Sequence, residues 1–333
     1  MTTHCKITLQ PVADGTRYAS YNDTAYKELF GRLRVASDLQ FTRQEIAVEG
    51  VKYVRGMSIS GVQQKLSLTI DENHQLSPVA TGGTYLLKPS PLEFPHAAEN
   101  EHTAMLIGKA LGIATAQCGL VNFSDGEMAY ITKRFDRLED GLKLHQEDLA
   151  QGFCIPNLSK YEKSYEECGK LILKMTRGMM PAALDFFKRV IHAYVIGNDD
   201  FHLKNISLLK FRDNTSRYYD TMTPNYDALF TSLYPTADKM GFLALDLLQE
   251  EAEGEFSSAY QKYGFYTGTD FLELGRRLEL GERAIDKYLK FTISMEHELF
   301  SLVDSGFMPD EMKTKAKNTV SSRLKSLAIG LNS

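Results

Sequence analysis

The amino-acid sequence predicts an α+β chain of two lobes, a small sheet-rich lobe over residues 1–136 and a larger helical lobe over 137–333. Three observations lead there. A chain of 333 residues is long for a single hydrophobic core, so it is expected to divide. Between about 65 and 135 the apolar residues mostly recur every second position, the period of a strand, with one helical stretch inserted. Beyond that the spacing becomes three to four and helices dominate to the end.

The elements follow in order. "RYASYNDTAYKELFGRL" holds a short helix in an otherwise mixed opening of about fifty residues. Leu66, Leu68 and Ile70 alternate with Lys65, Ser67 and Thr69, as a half-buried strand requires, and "DENHQ" reads as its hairpin turn. "TGGTYLLKPSP" gives a short apolar strand ended by proline, with Lys88 at its end. "AAENEHTAMLIGKALGI" changes to helical period, with Ala104, Ile107 and Leu111 on one face and Gly112 as C-terminal cap. "GLVNF" and "MAYITKRF" are strands joined by "SDGE". In "PAALDFFKRVIHAYVIGNDD" the residues Leu184, Phe187, Ile191, Tyr194 and Val195 mark a strongly periodic core helix that stops at Gly197. "ISLLKF", "RDNTS" and "RYYD" form a hairpin leading into "PNYDALF".

Composition excludes several classes. The hydrophobic share of 43% and charged share of 24% are those of a water-soluble globular protein. A net charge of −5 without long runs of one sign gives no argument for nucleic-acid or membrane binding. No apolar run approaches the roughly 18 residues of a spanning helix, and the N-terminus lacks the order of a signal peptide. The four cysteines, Cys5, Cys118, Cys154 and Cys168, form no CxxC or metal-type spacing, so reduced thiols in a cytoplasmic protein are expected.

The chemistry rests on polar residues at element ends: Lys88, Glu101, Asp200, Asn205 and Asp227. Phosphoryl transfer from ATP needs a strand lysine for the phosphates and a helix acid to hold it. It also needs a carboxylate beside the incoming hydroxyl, and an Asn and an Asp as hard oxygen ligands for Mg²⁺. The spacing Asp200-x-x-x-x-Asn205 equals that of the protein-kinase pattern HRDxxxxN, and Asp227 follows a hairpin, as a second metal ligand would. Each residue also has a plain structural role open to it. Lys88 suits a solvated strand end, Glu99 competes with Glu101, Asp199 and Asp200 suit a polar loop, Asp227 suits a helix N-cap, and His202 suits loop support. Their joint order is what points to a kinase. "GMSISGVQQKLSL" then reads as a glycine-flanked phosphate loop ahead of the lysine strand, although it is not GxGxxG.

"SISGVQQKLSL", "YLLKPSP", "ENEHTAMLIGKALG", "TKRFDR", "HQEDLAQGF", "GNDDFHLKN" and "YDALF", spanning about 56 to 230, together resemble the HipA family of bacterial serine/threonine kinase toxins. The resemblance implies a variant of the two-lobed protein-kinase fold, using ATP and Mg²⁺. It implies that Ser58, Ile59, Ser60, Gly61 and Val62 cover the triphosphate, and that Lys88, paired by Glu101, binds phosphate. Asp200 is then the catalytic aspartate, and Asn205 and Asp227 are the metal ligands. Gln146, His202, Lys204 and Tyr226 support the nucleotide site. Thr132, Lys133 and Phe135 belong to the linker that meets adenine through its backbone, although Lys133 stands where long members carry an acid.

Only about fifty residues precede the phosphate loop, so the chain looks like HipT, the shortened kinase of tripartite HipBST toxin–antitoxin systems. That implies HipS-like and HipB-like protein partners, contact with DNA only through HipB, no membrane, and an aminoacyl-tRNA synthetase as substrate, tryptophanyl-tRNA synthetase by preference. Two other readings stand beside it: a kinase of small hydroxyl compounds, and a non-catalytic ATP-binding partner of a HipB-like repressor. The "SIS" triplet offers Ser58 and Ser60 as autophosphorylation sites. A phosphoserine carries nearly two negative charges, which beside the γ-phosphate would repel ATP. Ser58→Asp with Ser60→Asp is therefore expected to weaken ATP binding in a calorimetric titration, and unchanged affinity would refute the electrostatic argument.

Overall fold

The computed structural model describes residues 3–32, 34–45, 64–138, 140–234 and 242–331. The chain divides into two compact units. The first comprises Met1–Leu106, Ala116–Leu142 and Leu302–Asp310, and the second Ile107–Thr115, Lys143–Ser301 and Glu311–Ser333.

The first unit is built on an antiparallel sheet of β1 (Leu66–Ile70), β2 (Leu76–Pro78), β3 (Tyr85–Pro89), β4 (Cys118–Asn122) and β5 (Met128–Lys133), in the order β2-β1-β3-β5-β4. The alternation read at 66–70 is the strand β1, paired Leu66 with Leu87 and Leu68 with Tyr85. β3 lies at the centre, with Lys88 opposite Tyr130 of β5.

The mixed N-terminal segment proves to be core. It carries α1 (Asp23–Phe30), ended by Gly31 at φ 75. Cys5, Ile7, Tyr21, Tyr26, Leu29 and Phe30 bury themselves with Leu66, Leu68, Tyr85, Leu87, Val121 and Ile131 of the sheet. The phenols are satisfied as they are buried: Tyr21 donates to the Leu120 carbonyl at 2.9 Å and Tyr85 to that of Leu29 at 3.1 Å. Gly119 leaves room for this packing, since a Cβ there would stand 2.9 Å from Ile7 Cγ1. The helix read at "AAENEHTAM" is α2 (Ala97–Ala110), whose first turn is closed by Ser90 Oγ accepting from the Ala98 N–H at 3.0 Å.

The second unit holds a small antiparallel sheet, β6 (His145–Asp148), β7 (Ser207–Lys210) and β8 (Thr221–Met222), and helices. α3 (Leu149–Gly152) and α4 (Tyr165–Met175) both start with capping boxes, Asp148 with Gln151 and Ser164 with Glu167. α5 (Met180–Ile196) is the predicted core helix. It is buried more widely than one stripe, because every residue from Arg189 to Ile196 is inside, whereas Leu184 is only half-buried. α6 (Ser258–Tyr263), α7 (Gly268–Arg277), α8 (Glu282–Ser294), α9 (Glu296–Ser305) and α10 (Asp310–Ala328) follow.

Arg277 ties three of the second unit's elements together, meeting Glu273 at 2.9 Å, Glu250 at 2.5 Å and the buried Glu166 at 3.0 Å. Glu251 ties the segment after residue 242 to α5. Its carboxyl accepts from the Leu247 N–H at 2.9 Å and from Tyr266 Oη at 2.5 Å, while Tyr194 of α5 donates to the Tyr266 carbonyl at 2.5 Å. Among the described residues no helix is long and apolar enough to cross a membrane, and none of the four cysteines is in a disulfide.

Burial pushes the Glu251 carboxyl up to about 7, with Asp246 adding in the same direction. Unfolded, the same group ionises near 4.5, so between pH 4.5 and 7 the unfolded chain holds fewer protons than the folded one. Stability is therefore expected to fall as pH rises through that window, by on the order of 3 kcal/mol. Urea midpoints at pH 5 and 7.5 check this: Glu251→Gln should shrink the difference, and an unchanged difference would contradict it.

Candidate active site

In the first unit the sequence order Lys88…Glu101 becomes a contact. β3 ends with the Lys88 side chain buried, 4% exposed, and its Nζ lies 2.5 Å from Oε1 of the wholly buried Glu101 on α2. The ammonium also lies 5.3 Å from the centre of the Tyr130 ring. Glu99, the competitor left open by sequence, meets His96 Nδ1 at 3.0 Å instead. Spacing allows only one of them: residues two apart on a helix point about 200° apart, so they cannot both reach one strand lysine. At the end of β5, Thr132 Oγ1 donates to the Gln117 carbonyl at 3.0 Å. The N–H groups of Lys133 and Arg134 donate to the Gln117 and Thr84 carbonyls, both at 2.8 Å. Lys133 is exposed and Phe135 half-buried. Arg134 then grips Asp136 with two bonds of 2.9 and 2.7 Å. Ser58, Ile59, Ser60, Gly61 and Val62 lie outside the described residues.

In the second unit α5 stops at Gly197, φ 63, and the chain folds into a loop held by its own polar groups. Asn198 Oδ1 accepts from the Asp200 N–H at 3.0 Å, and Thr231 Oγ1 accepts from the Asp199 N–H at 2.7 Å. The Asp200 carbonyl accepts from the His202 N–H and from Asn205 Nδ2, both at 2.9 Å. Asp200 and Asn205 are thus fixed to one another. Because Asn205 uses its nitrogen on this bond, its Oδ1 is the atom available to a hard cation. The Asp200 side chain is 44% exposed, which is what a carboxylate needs to receive a proton from outside.

Asp227 comes from the strand side. Its φ is 60, a left-handed conformation that non-glycine residues adopt rarely and that Asp tolerates better than most. Its neighbours hold it there. Tyr226 Oη donates to the Lys204 carbonyl at 3.1 Å and lies 2.6 Å from Ser207 Oγ, the Asn225 N–H donates to the Ala114 carbonyl at 2.7 Å, and the buried Arg189 donates to the Thr223 carbonyl at 2.5 Å. Gln146 sits half-buried on β6 opposite Leu209, and Lys204 is half-buried in the loop.

Two residues that sequence reasoning passed over complete the constellation. Tyr161 Oη donates to Asp200 Oδ1 at 2.6 Å, and Lys160 Nζ lies 2.7 Å from His202 Nε2. An ammonium only donates, so Nε2 is an acceptor and the His202 ring is neutral. Consistently, burial lowers the His202 pKa and the Lys160 charge adds to it, against a raising effect of Asp200. The signal in sequence was the tract "SKYEK", which has the look of a solvated linker before the "SYEE" capping box.

Among the described residues no group of three or more His, Cys, Asp and Glu side chains is placed to hold a metal. Asn205 and Asp227 would offer oxygen donors, which suit Mg²⁺, an ion that keeps water and substrate phosphate oxygens as its remaining ligands.

Residues 57–296 match the family described as the HipA-like C-terminal domain. The chain is 34% identical over 321 residues to the "Putative kinase" of Haemophilus influenzae, the alignment spanning 92% of each. It is 29% identical over 188 residues to "Putative kinase Y4mE" of Sinorhizobium fredii, which covers 54% of this chain and 43% of that one. Among solved structures it is similar to the Shewanella oneidensis HipA solved with HipB and its operator DNA, with a TM-score of 0.64, 17% identity, and coverage of 96% of this chain and 76% of that one. It is also similar to the Helicobacter pylori proinflammatory kinase CtkA, with a TM-score of 0.51, 15% identity, and coverage of 81% and 93%. These likenesses establish the kinase-like α+β fold that the sequence predicts.

The buried pair makes a stability prediction. Lys88→Met removes the ammonium from a carboxylate that has no exposure, and is expected to destabilise the chain by about 3–5 kcal/mol. Lys88→Met combined with Glu101→Leu should recover most of that in urea denaturation. A double variant as unstable as the sum of the singles would show that the two side chains do not act as a pair.

Proposed function

The chain belongs to the HipA-like C-terminal domain family, and on that premise we propose that it is an Mg-ATP-dependent serine/threonine protein kinase acting as the toxin of a HipBST-type toxin–antitoxin system. The observation that carries the reading is the loop in which Asp200 and Asn205 share one hydrogen-bonded frame directly after the left-handed cap of α5. A base and a metal ligand fixed to each other in this way are what positioning catalysis of phosphoryl transfer requires.

In this reading Lys88 binds phosphate oxygens and Glu101 holds the lysine in its buried, charged state. Asp200 receives the proton of the acceptor hydroxyl as its oxygen attacks the γ-phosphorus. The bond from that phosphorus to the β–γ bridging oxygen breaks, and ADP leaves. Asn205 and Asp227 would hold Mg²⁺, which when bound neutralises charge on the phosphates. The loop of Ser58 to Val62 covers the triphosphate. Since the N–H groups of Lys133 and Arg134 are engaged inside the first unit, this linker would meet the adenine amino group through carbonyl oxygens. Gln146, His202, Lys204 and Tyr226 hold the nucleotide-side scaffold, and phosphorylation of Ser58 or Ser60 turns the enzyme down.

The proposed substrate is an aminoacyl-tRNA synthetase, tryptophanyl by preference, inactivated by phosphate on a loop that must close over ATP. The proposed partners are HipS-like and HipB-like proteins in the cytoplasm. The presence of HipB and operator DNA in the Shewanella complex supports the second of these.

Mass spectrometry of the purified chain with Mg-ATP and tryptophanyl-tRNA synthetase, beside an Asp200→Ala control, tests the proposal. Phosphate on the synthetase and on Ser58 or Ser60, absent from the control, is expected. Phosphate on neither protein would refute the substrate and the autophosphorylation together.

A further inference from the structure

The bond between Tyr161 and Asp200 is not required by the chemistry just described. At 2.6 Å it has the length of a charge-assisted O–H···O⁻ bond. An acceptor hydroxyl has to make the same kind of bond to a general base before it attacks. The phenol is held in place by its surroundings. Its ring meets the His202 imidazole edge-on with centroids 5.2 Å apart, the Lys160 ammonium lies 4.9 Å from the ring centre, and the Lys160 carbonyl accepts from the Leu203 N–H at 3.3 Å. Burial and the carboxylates of Asp200 and Asp199 hold its pKa above the usual phenol range, so it stays a donor. Yet Tyr161 is 37% exposed and Leu158, three residues earlier, 97% exposed, so the segment can lift without opening the core.

We propose, on the basis of the kinase reading, that Tyr161 is a specificity-determining residue whose phenol occupies the acceptor-hydroxyl position on Asp200 and keeps water from it until a protein hydroxyl takes its place. Water and a serine hydroxyl are served by the same step. The attacking oxygen bonds to the γ-phosphorus, the bond to the bridging oxygen breaks with its electron pair leaving on ADP, and the proton passes to Asp200. The difference between them lies in binding. A protein acceptor makes contacts away from the base that offset the loss of the phenol bond, whereas water makes none. The phenol thus acts as a threshold that only a docked acceptor crosses.

Multiple-turnover release of ADP from Mg-ATP with no other protein present, beyond the phosphate that Ser58 and Ser60 of the chain itself can take up, tests this in the full chain. Tyr161→Phe keeps the ring against His202 and Lys160 and removes only the hydroxyl, and a melting curve verifies that it folds. Tyr161→Leu serves as a second variant. Acceptor-free ADP release is expected to rise about tenfold in both, the factor for loss of one net hydrogen bond, and to vanish when Asp200→Asn is added. A rate at or below that of the wild type would overturn the proposal and make Tyr161 a positioning residue for Asp200. Calorimetry of Mg-ATP binding on the same wild-type sample separates the other failure, since a chain that binds no nucleotide overturns the kinase reading and this inference with it.

Discussion

Gly197 ends α5 in the left-handed region, and a Cβ there would stand 2.5 Å from Ser232 Oγ and 3.0 Å from Thr319 Cγ2. That close approach lets the Gly197 carbonyl accept from both Thr231 Oγ1 at 3.0 Å and the Ser232 N–H at 3.1 Å. Thr231 in turn receives the Asp199 N–H, so the turn after the helix and the segment beyond Asp227 are locked to one point. Since α5 is buried through its last two turns, that point cannot drift. The position of the Asp200 carboxylate follows from a residue without a side chain.

Asp227 meets the same conformational restriction from the other direction. At Gly197 a positive φ carries no penalty, while at Asp227 it costs on the order of 1 kcal/mol or more and persists because neighbours over-determine it. Thr223, Asn225 and Tyr226 each make a fixed bond within the second unit, so in this stretch the strain falls on Asp227. In the first unit burial plays the corresponding role. Lys88 and Glu101 are each too deeply placed to be tolerated alone, and together they define where a positive charge stands on β3.

What could be read from sequence was local. Alternation at 66–70 and the period of three to four at 97–110 and 180–196 are encoded within a few residues, and the structure has an element at each. The choice between Glu99 and Glu101 was not local, because it depends on how α2 is rotated about its axis. Every residue from Ala97 to Met105 is buried, Glu99 included, so no apolar stripe along the helix announces which acid faces Lys88. Tyr161 was invisible for a related reason: its partner lies 39 residues on, and no period links a tyrosine in a polar tract to a carboxylate after a helix. In the opening forty residues the short helix was legible and is α1, but the packing was not, because Tyr18, Tyr21, Tyr26 and Phe30 contact one another and Tyr85 without belonging to one regular element.

That aromatic stack separates two notions of a domain. The stretch shared with the family begins at residue 57, yet the sheet it contributes to the first unit has an apolar face covered by Cys5, Ile7, Tyr26, Leu29 and Phe30. At roughly 1.5–3 kcal/mol for each large side chain removed from water, those residues account for a sizeable part of what holds the unit folded. The stretch that the family shares is therefore shorter than the segment that folds as a cooperative whole. An expression boundary drawn at residue 57 would leave an uncovered β-sheet, prone to stick to other chains.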